Sequence, residues 1–279
     1  MTEQLRRREF VIDFYYDEGV NQDSKYSWLT QQLQAFSGNI SLYLKELKTG
    51  ETYTYREKAP HVAASIIKLF LMAAIFQGFE DGDFLPSDRL AVPRSECVPS
   101  CGVLTYLDNG KVLSLRDLTE LMIIVSDNTA ANLLYDFYGS DRLNTFIHKT
   151  LGFSATVYQR KMFDEEKAAK GIQNYTTAAD TAALLERIYN GRLISPRASR
   201  QMLTILEHQR LNNKIPARLK QLSPAPVIAH KTGEDKGITH DVGIIEGNNP
   251  LLLCFLADDV DTFSFEREIA DLSWLLYSV

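Results

Sequence analysis

Residues 65–79 constrain the fold more than any other part of the chain. Ile66, Ile67, Leu69, Phe70, Leu71, Met72, Ile75 and Phe76 recur so densely that a helix over this stretch is apolar on nearly every side. Such a helix has to be enclosed, because no face of it is suited to water. The flanking sequence must therefore supply layers of structure all round it. Upstream, Trp28, Leu29, Leu33 and Phe36 predict an early helix over residues 26–36, and residues 40–47 and 52–55 read as strands joined by a hairpin turn at Lys48-Thr49-Gly50-Glu51. From about Ser65 to Gln209 the signals are helical almost throughout. Ser114 with Asp117 three residues later predicts a capping box, Gly139 closes a helix at Tyr138, and Ser195-Pro196 opens another. Strands return at 227–232, 238–245 and 251–258, before a last helix over 265–277.

Strands at both ends around a helical middle predict an α+β fold, an antiparallel sheet flanked by terminal helices with an inserted all-helical lobe. Residues 1–60 and 210–279 would form the sheet lobe and residues 61–209 the helical lobe, with a cleft at their junction where ligand sites tend to form. Composition agrees with a globular chain: of 279 residues 45% are hydrophobic and 24% charged. The longest apolar runs, 69–76 and 251–257, fall well short of the roughly 18 residues that a membrane helix needs. A formal net charge of −6 argues against nucleic acid as a partner, since phosphate backbones are bound by clustered Lys and Arg.

After Met1 the chain reads TEQLRRREFVIDFYYDEG, too short and polar an apolar stretch for a signal peptide. The expectation is a cytoplasmic protein, or a secreted or periplasmic one if the chain is a mature form. Cys97, Cys101 and Cys254 are too few for a disulfide framework. Cys97 and Cys101 read as two small loop residues, or as a bridge or half a metal site. No further Cys or His stands at zinc-ligand spacing, and His61, His148, His208, His230 and His240 show no metal-ligand pattern.

Three short motifs carry chemistry. In Ser65-Ile66-Ile67-Lys68 the amine lies three residues from the hydroxyl and so shares a helix face with it. A serine needs a base to become a nucleophile, and desolvation in an apolar helix lowers a lysine's pKa enough to make it one. The competing reading is a capping serine with a lysine that snorkels to water. In Ser126-Asp127-Asn128 the small polar residues read either as a helix start or as a loop presenting a second hydroxyl for proton transfer and an amide for a peptide-like substrate group. Lys231-Thr232-Gly233 reads as a strand entering a turn, or as an edge strand whose glycine admits a substrate backbone.

In the order S-x-x-K, S-D-N, K-T-G, spaced 61 and 105 residues apart, the three motifs together are far more specific than any one alone. The set resembles that of class A β-lactamases and penicillin-binding proteins, and SDNTAANLL at residues 126–134 looks especially like the family. The resemblance covers nearly the whole chain and implies a β-lactamase-like fold. It implies that Ser65 is the acylated nucleophile, that Lys68 helps to activate it, and that Ser126 passes a proton to the leaving nitrogen. Asn128 would hold the substrate's side-chain amide, and Lys231 and Thr232 its carboxylate. The oxyanion hole would be the backbone N–H groups of Ser65 and of Glu234, the residue after Gly233. The activity implied is β-lactam hydrolysis through an acyl-enzyme. The alternatives are a D-Ala-D-Ala peptidase or esterase, or a β-lactam sensor that deacylates slowly. Neither metal nor organic cofactor is implied, and a monomer is expected.

Two departures stand out. Class A enzymes resemble one another in a glutamate followed four residues later by asparagine, where the glutamate directs the deacylating water. The corresponding loop here, residues 158–177, reads YQRKMFDEEKAAKGIQNYTT, and Asp164, Glu165 and Glu166 have Ala168, Ala169 and Lys170 at that offset. One of the three acids orients water, or the run is a solvated charged face. Glu234 stands where class A enzymes usually carry a small residue, placing a carboxylate beside the acyl pocket.

Overall fold

A computed structural model describes residues 27–99 and 102–278; the basic N-terminal segment, Tyr26 and Cys101 lie outside the described residues. The chain divides into two compact units, Met1–Ser37 and Gly38–Val279. In the first, the described part contains helix α1 (Ser27–Gln34).

The second unit holds strands β1 (Asn39–Glu46), β2 (Thr52–Tyr55), β3 (His61–Val62), β4 (Arg89–Val92), β5 (Lys111–Ser114), β6 (Tyr175–Thr176), β7 (Ile228–Asp235), β8 (Ile238–Ile245) and β9 (Leu251–Asp258). Its helices are α2 (Lys68–Asp81), α3 (Leu115–Ile124), α4 (Asn128–Tyr138), α5 (Ser140–Thr145), α6 (Glu165–Ala169), α7 (Ala178–Tyr189), α8 (Pro196–Glu207), α9 (Pro216–Leu219) and α10 (Thr262–Tyr277). The main sheet is antiparallel in the order β2-β1-β9-β8-β7, so strands from both ends of the unit meet where β1 pairs with β9. This leaves β7 as an edge strand. β8 is buried along its whole length and β9 along all but its last residue, with α7 and α10 packed against them. Central strands covered on both faces lose the polar alternation of a half-wet sheet, which is why 251–257 reads as one apolar run.

α2 is the buried helix that the sequence demands. Leu69, Phe70, Leu71, Met72 and Ile75 have no exposed surface, each such burial contributing roughly 1.5–3 kcal/mol. It packs against α3, α4 and α8 and stops at Gly82, whose φ of 75° supplies the left-handed cap. Ser114 and Asp117 form the reciprocal capping box at the start of α3.

Two details differ from the sequence reading. α2 begins at Lys68, because Ala64–Ile67 forms a 3₁₀ turn entered through Ala64 at φ 43°. The helical middle also contains two short ribbons, β3 with β6 and β4 with β5. They pair residues too far apart in sequence for local periodicity to reveal.

Candidate active site

Ser65 sits in the 3₁₀ turn, partly exposed, one residue after the strained Ala64. Left-handed φ at a non-glycine costs on the order of 1–3 kcal/mol and persists only where the surroundings enforce it. They do so here through Ala63, whose N–H donates to the Asn174 carbonyl (2.8 Å), and through the β3–β6 pairing next to it. The turn and the helix after it are capped at Ala63 and Ile67, not at Ser65, and Lys68 is fully buried. A capping serine with a snorkelling lysine therefore does not describe this pair.

The Lys68 ammonium is enclosed at the base of the turn, where an unpaired charge would cost several kcal/mol. Three acceptors receive its donors: the Ser126 carbonyl at 2.7 Å, Ser126 Oγ at 3.2 Å and Asn128 Oδ1 at 2.6 Å. Ser126 is held at φ 54° between α3 and α4, which turns its carbonyl and hydroxyl toward the same lysine. On the other side of Ser126, Lys231 Nζ donates to Oγ at 3.0 Å and to the Thr232 carbonyl at 2.7 Å. One hydroxyl thus accepts from two buried amines, which leaves its own proton available to a third partner.

The capping reading of Ser126-Asp127-Asn128 holds for one residue of the three. Asp127 is the N-cap of α4, accepting from Ala130 N–H at 3.0 Å, while its other oxygen accepts from Val103 and Leu104 N–H at 2.7 and 2.9 Å. Gly102 is required beside it, since a Cβ there would lie 2.2 Å from Asp127 Oδ2. Asn128 Nδ2 donates to Pro99 O (3.1 Å), so the same motif fastens the loop that carries Cys97. Cys97 is a free thiol, and among the described residues no group of three or more His, Cys, Asp or Glu could hold a metal.

Lys231-Thr232-Gly233 lies on β7, which runs on to Asp235 before turning at Gly237, so the motif is strand and not turn. Gly233 lies against the serine turn: a Cβ there would stand 3.0 Å from Ile66 Cγ1 and 3.0 Å from His240 Cδ2. Glu234 follows, half-exposed, its carboxylate paired with the fully buried Lys214. His230, one residue before the motif, is buried against Asp241 (2.9 Å). His240 donates from Nε2 to Val62 O at 2.9 Å and accepts at Nδ1 from Ala257 N–H at 2.9 Å, tying β9 to the chain that leads into Ser65. Burial, its largest influence, lowers its pKa to about 4, so the imidazole is neutral.

The structure does not bring Asp164, Glu165 or Glu166 into this network. Asp164 caps α6 through Lys167 N–H (3.0 Å), Glu165 is exposed, and Glu166 pairs with Lys170 (2.6 Å) at 80% side-chain exposure. Within the loop Met162 is buried and its backbone is bound to α4. Asn132 accepts from Met162 N–H at 2.8 Å and donates to its carbonyl at 3.0 Å. Asn132 lies one helical turn beyond Asn128 on α4, and hence on the same face. Asn174 closes the loop by accepting from Gln159 and Arg160 N–H (2.7 and 2.9 Å) and donating to Arg160 O. Asn132, Met162, Asn174 and Lys214 were given no role by the sequence reading, although Asn132 lies inside SDNTAANLL and Met162 and Asn174 lie in the runs QRKM and NYTT, which resemble a branch of class A-like serine hydrolases.

A hydroxyl shared by two buried amines, beside a second serine on a strained turn, is the equipment of a serine hydrolase. A model of the β-lactamase enzyme family matches residues 26–279, and the chain belongs to that family. β-Lactamase L2 of Stenotrophomonas maltophilia is 30% identical over 171 residues, 61% of this chain. The chain spans 56% of that relative's length. Among solved structures, the β-lactamase of Sphaerobacter thermophilus superposes with a TM-score of 0.83 at 28% identity, covering 91% of this chain and 95% of the other. PBP-A gives 0.79 at 26% identity over 90% and 95%. A PBP-A mutant solved as an acyl-enzyme complex with penicillin G gives 0.80 at 24% identity over 92% and 96%.

Proposed function

We propose that this chain opens the β-lactam amide by acyl transfer to Ser65. The observation that carries the proposal is Ser126 Oγ, poised between Lys68 and Lys231 at 3.2 and 3.0 Å next to the serine turn. Lys68 in its neutral form takes the Ser65 proton as Oγ attacks the carbonyl carbon. Backbone N–H groups of Ser65 and Glu234 receive the developing oxyanion. As the C–N bond breaks, Ser126 gives its proton to the leaving nitrogen and is reprotonated by Lys68 across the 3.2 Å contact. Water then releases the acyl group as a carboxylic acid and restores Ser65.

A second reading is favoured by the loop. With the Met162 backbone clasped by Asn132, Asp164 capping α6, and Glu165 and Glu166 turned to solvent, hydrolysis of the acyl-enzyme is slow toward β-lactams, as in a peptidase, esterase or sensor of the same architecture.

Incubation with penicillin, with intact mass followed alongside ring opening, tests both. One acyl group on Ser65 with many turnovers supports the first reading, and a lasting adduct the second. Absence of both adduct and ring opening with several β-lactams would sink the acylation mechanism. So would hydrolysis that survives Ser65→Ala, since the remaining donors polarise a carbonyl but cannot attack it.

A further inference from the structure

Glu234 meets a buried cation at the substrate edge of β7. Along a strand, alternate residues share a face, so Thr232 and Glu234 point the same way, while Lys231 reaches Ser126 and Gly233 turns its face to Ile66 of the serine turn. On the Thr232 face stands Lys214, whose side chain has no exposed surface. Its ammonium pairs with Glu234 and lies 3.9 Å from Glu266 Oε1. Glu266 is itself fixed by Asn213 Nδ2 at 2.8 Å and Thr239 Oγ1 at 3.4 Å. On this face of β7 the Lys214 ammonium is matched by two carboxylates, Glu234 and Glu266, while Lys231 turns to the opposite face and to Ser126. A substrate carboxylate approaching Thr232 would therefore meet a half-exposed carboxylate, and the ammonium that would attract it is already engaged.

We propose that Glu234 is a specificity-determining residue that occupies Lys214 and turns the Thr232 end of the site toward acyl donors without a free carboxylate. Neutral esters and amides enter at no electrostatic cost. Like-charge juxtaposition at a partly buried site discriminates strongly against the anion. The proposal rests on acylation at Ser65 and narrows the class of acyl donor.

The test compares the second-order rate of Ser65 acylation, read by intact mass, for penicillin G and for its methyl ester. The ester reacts at least tenfold faster with the wild-type chain. Glu234→Gln keeps an oxygen near Lys214 but frees the ammonium's charge, and the ester-to-acid ratio falls at least tenfold. Lys214→Met, close in volume, leaves Glu234 unopposed and moves the ratio the opposite way, so the pair is informative even if one variant folds poorly. Adducts that form in wild type and variants with a ratio constant within twofold overturn the role of Glu234 and leave Ser65 acylation standing. No adduct from either probe on the wild-type chain overturns the acylation mechanism and this inference with it.

Discussion

The two regions that face Ser65 are built on opposite principles. On one side Lys68, Ser126 and Lys231 are buried, and each side chain is placed by hydrogen bonds to the others. On the other, residues 158–177 turn Glu165 and Glu166 to water and fasten the Met162 backbone to Asn132. Interlocked charges in a dry interior have one satisfactory arrangement, whereas a solvated acid has many. Under the proposed mechanism, the molecule is therefore specified far more tightly for forming an acyl-enzyme than for hydrolysing one.

The largest break in that contrast comes from the dry side. Lys68→Met fills a similar volume but removes the base and strips Ser126 and Asn128 of their shared donor. Acylation should slow by about 10²–10⁴, the range for loss of a positioned general base. A pre-steady-state mass or fluorescence trace measures it. If acylation keeps its rate, Lys68 is not the base and the proton leaves Ser65 by another route.

A smaller and opposite change is expected on the wet side. Met162 has its N–H and C=O fixed by Asn132, one helical turn along α4 from Asn128, so a new side chain there starts from a defined backbone position. Met162→Glu should raise the hydrolysis rate of the preformed acyl-enzyme at least tenfold while changing acylation little. Glu165→Gln with Glu166→Gln should alter neither step by more than about twofold. Loss of hydrolysis in that double variant, with Met162→Glu silent, would return the water-directing role to the acidic run.

Legibility in the sequence follows the same divide. The paired strands β8 and β9, the all-round apolar α2 and the caps at Ser114, Gly139 and Ser195 follow from local patterns of two to four residues. The three motifs pointed to Lys68, Ser126, Asn128 and Lys231, whose side chains the structure brings into one hydrogen-bonded network beside the turn that carries Ser65. The loop at 158–177 was opaque for a physical reason. Asp164, Glu165 and Glu166 look like chemistry by composition, but it takes the long-range clasp of Asn132 on Met162 to show that Met162, and none of the acids, is tied to α4. Lys214 and Glu234 are likewise 20 residues apart, and their pairing is a product of the sheet edge.

The mildest effect tests how far the dry wall extends behind the serine turn. His240 packs against Gly233 and hydrogen-bonds Val62, and burial brings its folded pKa to about 4 against an unfolded value near 6.5. The neutral ring is the form that both hydrogen bonds require, since Nδ1 must accept from Ala257 N–H while Nε2 donates. Below about pH 6.5 the unfolded chain takes up a proton that the folded chain refuses. Stability contributed by this residue is therefore complete above pH 6.5 and declines as pH falls toward 4, with a slope of at most about 1.4 kcal/mol per pH unit. His61 lies edge-on to His240 and is paired with Asp258, so the slope of the wild type alone does not isolate His240. The difference between wild type and His240→Gln in Tm from pH 7 to pH 4.5 does. A Tm that falls by several degrees in the wild type and less steeply in the variant places His240 in the dry wall. Parallel curves would mean that the neutral imidazole contributes nothing to holding Val62 and Ala257 together.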